Sequence, residues 1–224
     1  MGKFIVIDGL DGCGKSTQLQ LLGAELRKQQ PDLVELSFPD YSSYPGKCIR
    51  EDYLDQSYHD DNIISSTYGS SLLYSTDRYI SFQKYWKDKY ANGCDIISGR
   101  YTSSNIMHQM SKLPVGEWDS FMDWMTDLEY NKLGLPKPTI TIFLKLPVEV
   151  AQQFLSNRYD GDNTKKDLHE ADIEYMHRCM DAALYAAKKL NWRVIDCMLD
   201  KRRVKSVHQT HNDVLALIQN LTSK

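Results

Sequence analysis

Short apolar runs alternate with longer amphipathic stretches along this chain. The runs that predict β-strands are Phe4–Ile7, Leu33–Phe38, Asp95–Ser98, Thr139–Leu146 and Trp192–Ile195. After the first run, leucines recur at spacings of three and four residues, which is typical of a helix that packs against a sheet. Strands that alternate with helices predict an α/β fold with a mostly parallel sheet. Ligands of such folds bind at the carboxyl ends of the strands.

Residues 63–90 are predicted to form one long helix. A mostly aromatic stripe recurs along it at Tyr68, Leu72, Ser75, Tyr79, Phe82 and Trp86. The stripe is typical of a face that packs under the sheet, while Tyr74 and Arg78 lie one turn apart on a second face. Because a helix with two occupied faces can pack on its own domain and on a partner, we expect a homodimer through this helix.

Composition narrows the class of protein. With 224 residues, no linker and no repeat, the chain is expected to form a single domain over residues 1–224. A net charge of −3 gives no reason to expect nucleic-acid binding, and no apolar run approaches the length of a membrane span. Its five scattered cysteines are typical of reduced thiols, so we expect a cytoplasmic protein.

A complete phosphate-binding loop follows the first predicted strand. The motif G-x-x-x-x-G-K-[ST] is met by Gly9, Leu10, Asp11, Gly12, Cys13, Gly14, Lys15, Ser16 and Thr17. Its glycines allow successive N–H groups to point at phosphate oxygens, and the following helix directs its positive end at the same anion. Lys15 is expected to reach the β- and γ-phosphates, and the Ser16 hydroxyl to hold Mg²⁺. The motif therefore predicts binding of a nucleoside triphosphate.

Other features indicate what is done with that nucleotide. Neither Asp95–Ser98 nor Thr139–Leu146 ends in the acid that many ATPases use, and no guanine-reading N-K-x-D motif is present. Three arginines at positions where they can reach a phosphate indicate a second, anionic substrate. They are Arg78 on the long helix, Arg100 after the third strand and Arg158. Arg158 begins a polar, basic segment, about 157–167, that we interpret as a lid that closes over the transferring phosphoryl group.

An ordered set of motifs then resembles the thymidylate kinase family across essentially the whole chain. The motifs are the 9–17 loop, Phe38-Pro39, Asp77-Arg78, Gly99-Arg100-Tyr101 with Ser104-Asn105, residues 134–138 and residues 190–196. The resemblance implies a P-loop kinase fold: a three-layer sandwich with a five-stranded parallel sheet flanked by helices. It also implies a homodimer and transfer of the γ-phosphate of ATP to dTMP, giving dTDP, with Mg²⁺.

The resemblance also implies roles for single residues. Asp11 would sit near the dTMP sugar and the magnesium waters, while Lys15, Ser16 and Thr17 would hold ATP phosphates and metal. The remaining acceptor contacts would come from Phe38, Pro39, Tyr74, Arg78, Arg100, Ser104 and Asn105. Within that set Tyr74 stacks on thymine, Arg78 reads a thymine carbonyl and Arg100 clamps phosphates. Gly12 stands where one branch of the family has a catalytic arginine, so Arg158 resembles the lid arginine of the bacterial-type branch.

Two positions depart from the family pattern. Gly99 replaces the aspartate that begins the Asp-Arg-Tyr/His motif, and Tyr41 stands where an arginine is expected. That positive charge is therefore missing or is supplied by another residue, for instance Lys47 or Arg50. Losing one preorganised charge at such a site costs on the order of 10²–10³ in kcat. Two alternatives to a dTMP kinase therefore stay open: a kinase for another deoxynucleoside monophosphate or a deoxynucleoside, and a nucleotide-binding homologue with weak activity.

Overall fold

A five-stranded parallel sheet forms the centre of the computed structural model, which describes residues 1–54, 66–158 and 172–222. The strands are β1 (Phe4–Gly9), β2 (Val34–Ser37), β3 (Ile96–Gly99), β4 (Ile140–Lys145) and β5 (Arg193–Asp196), in the order β2-β3-β1-β4-β5. All neighbouring pairs are parallel, and β1 lies in the middle. The five predicted strands and the α/β class are therefore confirmed.

Helices cover the sheet, and all but the last are formed by the chain between consecutive strands. They are α1 (Lys15–Leu26), α2 (Tyr44–Cys48), α3 (Thr67–Ser81), α4 (Lys87–Ala91), α5 (Thr102–Met110), α6 (Trp118–Thr126), α7 (Val148–Arg158), α8 (Ile173–Lys189) and α9 (Val207–Thr222). Short π-helical segments, Ile49–Leu54, Phe82–Trp86 and Asp127–Lys132, extend α2, α3 and α6, and a 3₁₀ turn at Val115–Glu117 precedes α6. No helix of the described residues is long and apolar enough to cross a membrane.

The hydrophobic core lies on both faces of the sheet. Side chains alternate along β1, so that Phe4 and Val6 join a cluster with Trp86, whereas Ile5 and Ile7 join a larger cluster on the other face. Both clusters are almost fully buried. Because a central strand buried on both sides must be apolar throughout, this arrangement explains the continuous apolar run of β1. It confirms the predicted three-layer architecture.

The long helix predicted over 63–90 is present from Thr67, but the face that it buries differs from the prediction. Residues 63–65 lie outside the described part, and from Thr67 the helical run continues to Ala91 through the π-helical segment Phe82–Trp86. The stripe predicted to face the sheet is buried only in part: Tyr68 (39%), Leu72 (48%) and Tyr79 (38%) are exposed.

Ser75, Phe82 and Trp86 of the stripe are buried as predicted. Polar residues outside the stripe are buried on α3 as well, among them Ser71, Asp77 and Arg78. The prediction was wrong here because these polar groups are satisfied by hydrogen bonds inside the protein. Spacing alone does not show which face of an amphipathic helix finds such partners.

The buried centre of the sheet predicts a large difference between two substitutions. Phe143 on β4 is fully buried, whereas Val194 on the edge strand β5 is 41% exposed. We expect Phe143→Ala to lower the free energy of unfolding by about 3–5 kcal/mol, and the control Val194→Ala to change it by about 0.5 kcal/mol or less. Urea denaturation followed by circular dichroism measures both, and equal effects would contradict the assigned core.

Candidate active site

The phosphate-binding loop lies between the end of β1 and the start of α1. Gly14 precedes α1 with a φ of 90°, and Lys15 is the first residue of the helix. The Lys15 ammonium donates hydrogen bonds to the backbone oxygens of Gly9 and Leu10, both at 2.9 Å, and lies 3.4 Å from Asp11 Oδ1. A positive side chain and a helix N-terminus therefore point at the same place, as an anion site requires.

Gly12 has no room for a side chain. Its φ is 82°, and a Cβ placed there would lie 2.5 Å from the backbone oxygen of Ala151 on α7. An arginine at this position would be strained in its backbone and would collide with that helix. The conformation of this loop therefore requires glycine at position 12.

A buried carboxylate ties the loop to helix α5. Asp8, near the end of β1, accepts hydrogen bonds from the hydroxyls of Ser103 (2.6 Å) and Ser104 (2.8 Å) and from the N–H of Gly9 (2.8 Å). It is fully buried, and these contacts satisfy both of its oxygens. Sequence reasoning missed Asp8, although an ionisable residue within an otherwise apolar central strand is itself a signal of function or of a structural network.

The Arg100 side chain contacts both the phosphate-binding loop and helix α5. Its φ of 65° is uncommon for a residue with a side chain, and its N–H donates to the Ile7 backbone oxygen. The guanidinium forms an ion pair with Asp11 and lies 3.3 Å from Ser104 Oγ and 3.1 Å from His108 Nε2. The backbone therefore aims this side chain at the loop.

The ion pair controls the charge of both partners. Burial alone would raise the pKa of the Asp11 carboxyl, but the positive charges of Arg100 and Lys15 outweigh it and hold that pKa well below its ordinary value. Burial likewise opposes the charge of Arg100, and Asp11 and Asp8 outweigh it, so that the Arg100 pKa is raised. Both groups are therefore ionised throughout the physiological pH range.

A second buried ion pair lies behind the site. Glu129 receives hydrogen bonds from Arg78 Nε (2.9 Å), Ser75 Oγ (2.8 Å) and Thr102 Oγ1 (2.6 Å), and it also pairs with Arg78 Nη2. These contacts use Nε and Nη2 of Arg78. No sequence signal pointed to Glu129, because its partners are distant in the chain.

All the predicted acceptor residues line one pocket. Its walls come from Asp11, Phe38, Pro39, Tyr41, Leu54, Tyr74, Arg78, Arg100, Tyr101, Ser104, Asn105, His108 and Gln109. Asp77 holds the wall that contains Pro39 and Tyr41, since its carboxylate accepts from the Asp40 N–H (2.8 Å) and the Ser43 hydroxyl (2.7 Å). Burial raises the pKa of Asp77 despite those bonds.

Asn105 carries the one polar atom in this pocket wall that is both buried and unpartnered among the described residues. Its Nδ2 donates to the Ser71 backbone oxygen at 3.0 Å, which fixes the orientation of the amide because a carbonyl can only accept. The Oδ1 atom is buried and has no hydrogen-bond partner among the described residues. An unpaired buried acceptor is costly, and Asn105 is one of the residues that line the pocket.

The loop also borders a second pocket. This pocket is lined by Gly12, Cys13, Gly14, Thr17, Gln18, Leu146, Phe154, Cys197, Val204, Lys205, Val207 and Thr210. The loop thus contributes Asp11 to the first pocket and Gly12, Cys13, Gly14 and Thr17 to the second. Two ligands can therefore meet at the loop from different sides.

Other sequence expectations have a mixed outcome. Lys47 and Arg50, considered as replacements for the missing arginine, are exposed and do not line the described pocket; the Arg50 guanidinium lies 5.9 Å from the Tyr41 ring centre. The backbone of Arg158 ends α7, but its side chain and residues 159–167 of the expected lid lie outside the described residues.

Gly99 lies at the carboxyl end of β3, beside Ile7 of β1. A Cβ placed on it would lie 3.3 Å from Leu19 Cδ2 and 3.8 Å from Ser37 Oγ, both in side chains. The position can therefore accept a side chain with a small shift of Leu19. Among the described residues that line the two pockets, Asp11 is the only acid.

The parallel sheet, the loop and the two adjoining pockets define a P-loop phosphotransferase that acts on two ligands. The thymidylate kinase family profile matches residues 7–209, and the chain belongs to that family of nucleoside-monophosphate kinases.

Known relatives span nearly the whole chain. A thymidylate kinase of Prochlorococcus marinus is 30% identical over 227 residues, covering 99% of this chain and 96% of the relative. A thymidylate kinase of Schizosaccharomyces pombe is 29% identical and covers 98% of this chain and 93% of the relative. The solved structure of a thymidylate kinase from Candida albicans has the same fold, with a TM-score of 0.70 at 23% identity, covering 98% of this chain and 92% of that one.

The Arg78–Glu129 pair gives a test of the site's framework. Glu129→Gln keeps the shape but leaves a buried guanidinium without its counter-charge, so we expect the free energy of unfolding to fall by about 3–5 kcal/mol. Asp127→Asn is the matched control, because Asp127 lies on the same π-helical segment in an exposed pair with Lys132 at 3.7 Å. Urea denaturation should show almost no change for the control. Similar losses in both variants would contradict a specific role for the buried pair.

Proposed function

We propose that the chain transfers the γ-phosphoryl group of ATP to dTMP and releases ADP and dTDP. The observation that carries this choice of acceptor is Asn105, which lines the pocket together with Arg78 and whose Oδ1 has no hydrogen-bond partner among the described residues. Family membership supports the phosphoryl-transfer reaction, and the polar groups of the pocket support thymine as the nucleobase of the acceptor.

Thymine matches the polar atoms that the pocket offers. Its N3–H is a donor between two carbonyl oxygens, so Asn105 Oδ1 accepts the N3–H while Arg78 Nη1 donates to a neighbouring carbonyl. Cytosine presents an acceptor at N3 and an amino group at C4, which would oppose both protein groups. A site built around such bonds rejects the wrong base strongly, because its own buried groups are then left unpaired. Tyr74 lines the same pocket and supplies an aromatic face for stacking.

The phosphates lie where the positive groups converge. In this proposal the loop N–H groups, Thr17 and Lys15 hold the ATP phosphates, and Lys15 exchanges the carbonyl oxygens of Gly9 and Leu10 for phosphate oxygens. Arg100 reaches from the acceptor pocket to the loop, so its planar fork contacts the phosphates of both nucleotides. Asp11 holds Arg100 in place and lies beside the dTMP sugar. The acceptor phosphate attacks as an already ionised oxygen, so no strong general base is required.

The residues at the loop also fit Mg²⁺. Ser16, in the first turn of α1, is exposed beside the loop and can supply a hydroxyl oxygen, and Asp11 can bind through water. Among the described residues no cluster of three acidic, histidine or cysteine side chains exists. Mg²⁺ keeps several waters and is held mainly by substrate phosphates, so it needs few ligands from the protein. When bound, the ion neutralises charge on the transferring phosphoryl group.

Several expectations from the sequence are part of the same proposal. Residues 1–224 form one kinase domain, and Arg158 with the 157–167 lid adds positive charge and excludes water during transfer. The exposed residues Tyr68, Leu72 and Tyr79 on α3 support a homodimer through this helix. Five free cysteines support a reducing compartment, the cytoplasm. We propose no nucleic-acid partner and no membrane partner.

A nucleotide panel tests the acceptor. In a coupled assay of ADP release, we expect kcat/KM for dTMP to exceed that for dUMP, dCMP and dGMP, with dCMP lower on the order of 10²-fold or more. Asn105→Ala should reduce the preference for dTMP over dCMP about tenfold, whereas Asn212→Ala, at an exposed position of α9, should leave it unchanged. Equal turnover of dTMP and dCMP by the natural chain would refute the proposed reading of the base.

Gly99→Asp tests whether the natural chain is an efficient kinase. Because Asp11 already supplies a carboxylate at the loop, we expect kcat for dTMP to change by less than about tenfold. Gly116→Asp is the control, since a Cβ there meets open space in an exposed turn. A rise in kcat on the order of 10²–10³ for Gly99→Asp alone, with dTMP affinity unchanged by calorimetry, would instead identify the natural chain as a weakened kinase.

A further inference from the structure

Arg100 has a third partner besides Asp11 and Ser104, and no motif points to it. His108, two turns further along α5, places its Nε2 atom 3.1 Å from Arg100 Nη1. A guanidinium only donates hydrogen bonds, so Nε2 must be the acceptor and cannot carry a proton. This contact therefore shows that Nε2 of His108 is unprotonated.

The protonation of the other ring nitrogen, Nδ1, follows from its contact with Tyr175, which is buried in the first turn of α8. Its hydroxyl donates to the backbone oxygen of His108 at 3.1 Å and lies 3.2 Å from His108 Nδ1. Since the hydroxyl proton is used in the first bond, the oxygen accepts the second from Nδ1–H. The first turn of α8 is itself fixed, because the Asp172 carboxylate caps the helix by accepting from the Tyr175 N–H at 2.8 Å.

We propose that His108 is a positioning residue, held by Tyr175 as the neutral Nδ1–H tautomer, whose Nε2 lone pair aims the Arg100 guanidinium at the reacting phosphates. Tyr175 acts through His108, because it does not line the acceptor pocket itself. This proposal rests on the proposed function, in which Arg100 contacts both nucleotides. In a metal-ligating histidine, a hydrogen bond to the other ring nitrogen fixes the tautomer and the orientation of the ring. Tyr175 holds Nδ1 of His108 in the same way, and Nε2 contacts Arg100 where a metal ligand would contact a metal.

Protonation of His108 would remove the contact. Among the described residues, the titratable and charged groups that interact with the imidazole include Arg100, Asp11, Tyr175 and Cys179, whose Sγ lies 3.6 Å from Nδ1. A proton on Nε2 would face the Arg100 guanidinium, which has no acceptor to offer and carries the same charge. We therefore expect kcat to fall as the pH decreases and His108 takes up a proton.

Tyr175→Phe is the first test, with Tyr185→Phe as its control. Both tyrosines lie on α8, but the Tyr185 hydroxyl donates to Asp119 at the protein surface. For Tyr175→Phe we expect kcat with dTMP to fall about tenfold, while KM for dTMP changes less than about twofold. The control should retain the natural kcat. A loss of thermal stability shared by both variants would not produce this separation of kcat from KM.

His108→Gln and His108→Leu form the second test. Glutamine can offer Arg100 a carbonyl oxygen, so it should retain more kcat than leucine, and neither variant should show the decline of kcat toward low pH that His108 causes. Equal kcat in the two variants, or a Tyr175→Phe enzyme with the natural kcat and pH profile, would overturn the proposal.

The tautomer can be read without any turnover. Correlation of ¹⁵N and ¹H in the imidazole rings of the whole protein, with the His108 signals identified by their loss in His108→Gln, should show a proton on Nδ1 and none on Nε2. Tyr175→Phe should broaden or shift those signals, and Tyr185→Phe should not. A proton on Nε2 in the natural chain would refute the proposal even if dTMP kinase activity is present. Absence of dTMP kinase activity with the expected tautomer would instead refute the proposed function.

Discussion

The carboxylate of Asp8 fixes the distance between the two halves of the site. It lies at the end of the central strand and binds the first N–H of the phosphate loop together with two hydroxyls at the start of α5. The loop holds one ligand and α5 lines the pocket for the other, so a shift of either element would leave a buried charge without its partners. That cost is several kcal/mol by general experience with buried ions, which makes the spacing rigid. Phosphoryl transfer depends mainly on such positioning.

The site uses its buried charges for two purposes. Asp8 and Glu129 accept from hydroxyls, N–H groups and one arginine, and neither lines a described pocket. Asp11 and Arg100 are partly exposed and meet at the loop. The first pair of acids shapes the walls, whereas Asp11 and Arg100 present ionised groups to the ligands. A charge that is fully satisfied by the protein can position its neighbours, but it has no bonding capacity left for substrate.

The sequence was sufficient for the strands, the loop and the set of pocket residues, since each of these has a local pattern or stands in a family motif. Helix α3 shows where such reasoning fails. Its aromatic stripe suggested the buried face, yet Tyr68 and Leu72 are exposed, whereas Arg78 outside the stripe is buried because Glu129, 51 positions away, accepts its hydrogen bonds. His108 and Tyr175 were missed for the same reason. Their meaning comes from a contact across 67 positions, and neither residue type signals it by itself.

One consequence follows from the two faces of α3. Asp77 and Arg78 are buried and support the acceptor pocket, whereas Leu72 and Tyr79 are exposed on another face of the same 15-residue helix. If two chains associate through the outward face, subunit association and acceptor binding stabilise the same rigid element. By thermodynamic linkage each then strengthens the other, so the measured affinity for the acceptor would rise with the concentration of the protein. Through this single helix, cells with more of the enzyme would have enzyme with a higher affinity for its substrate.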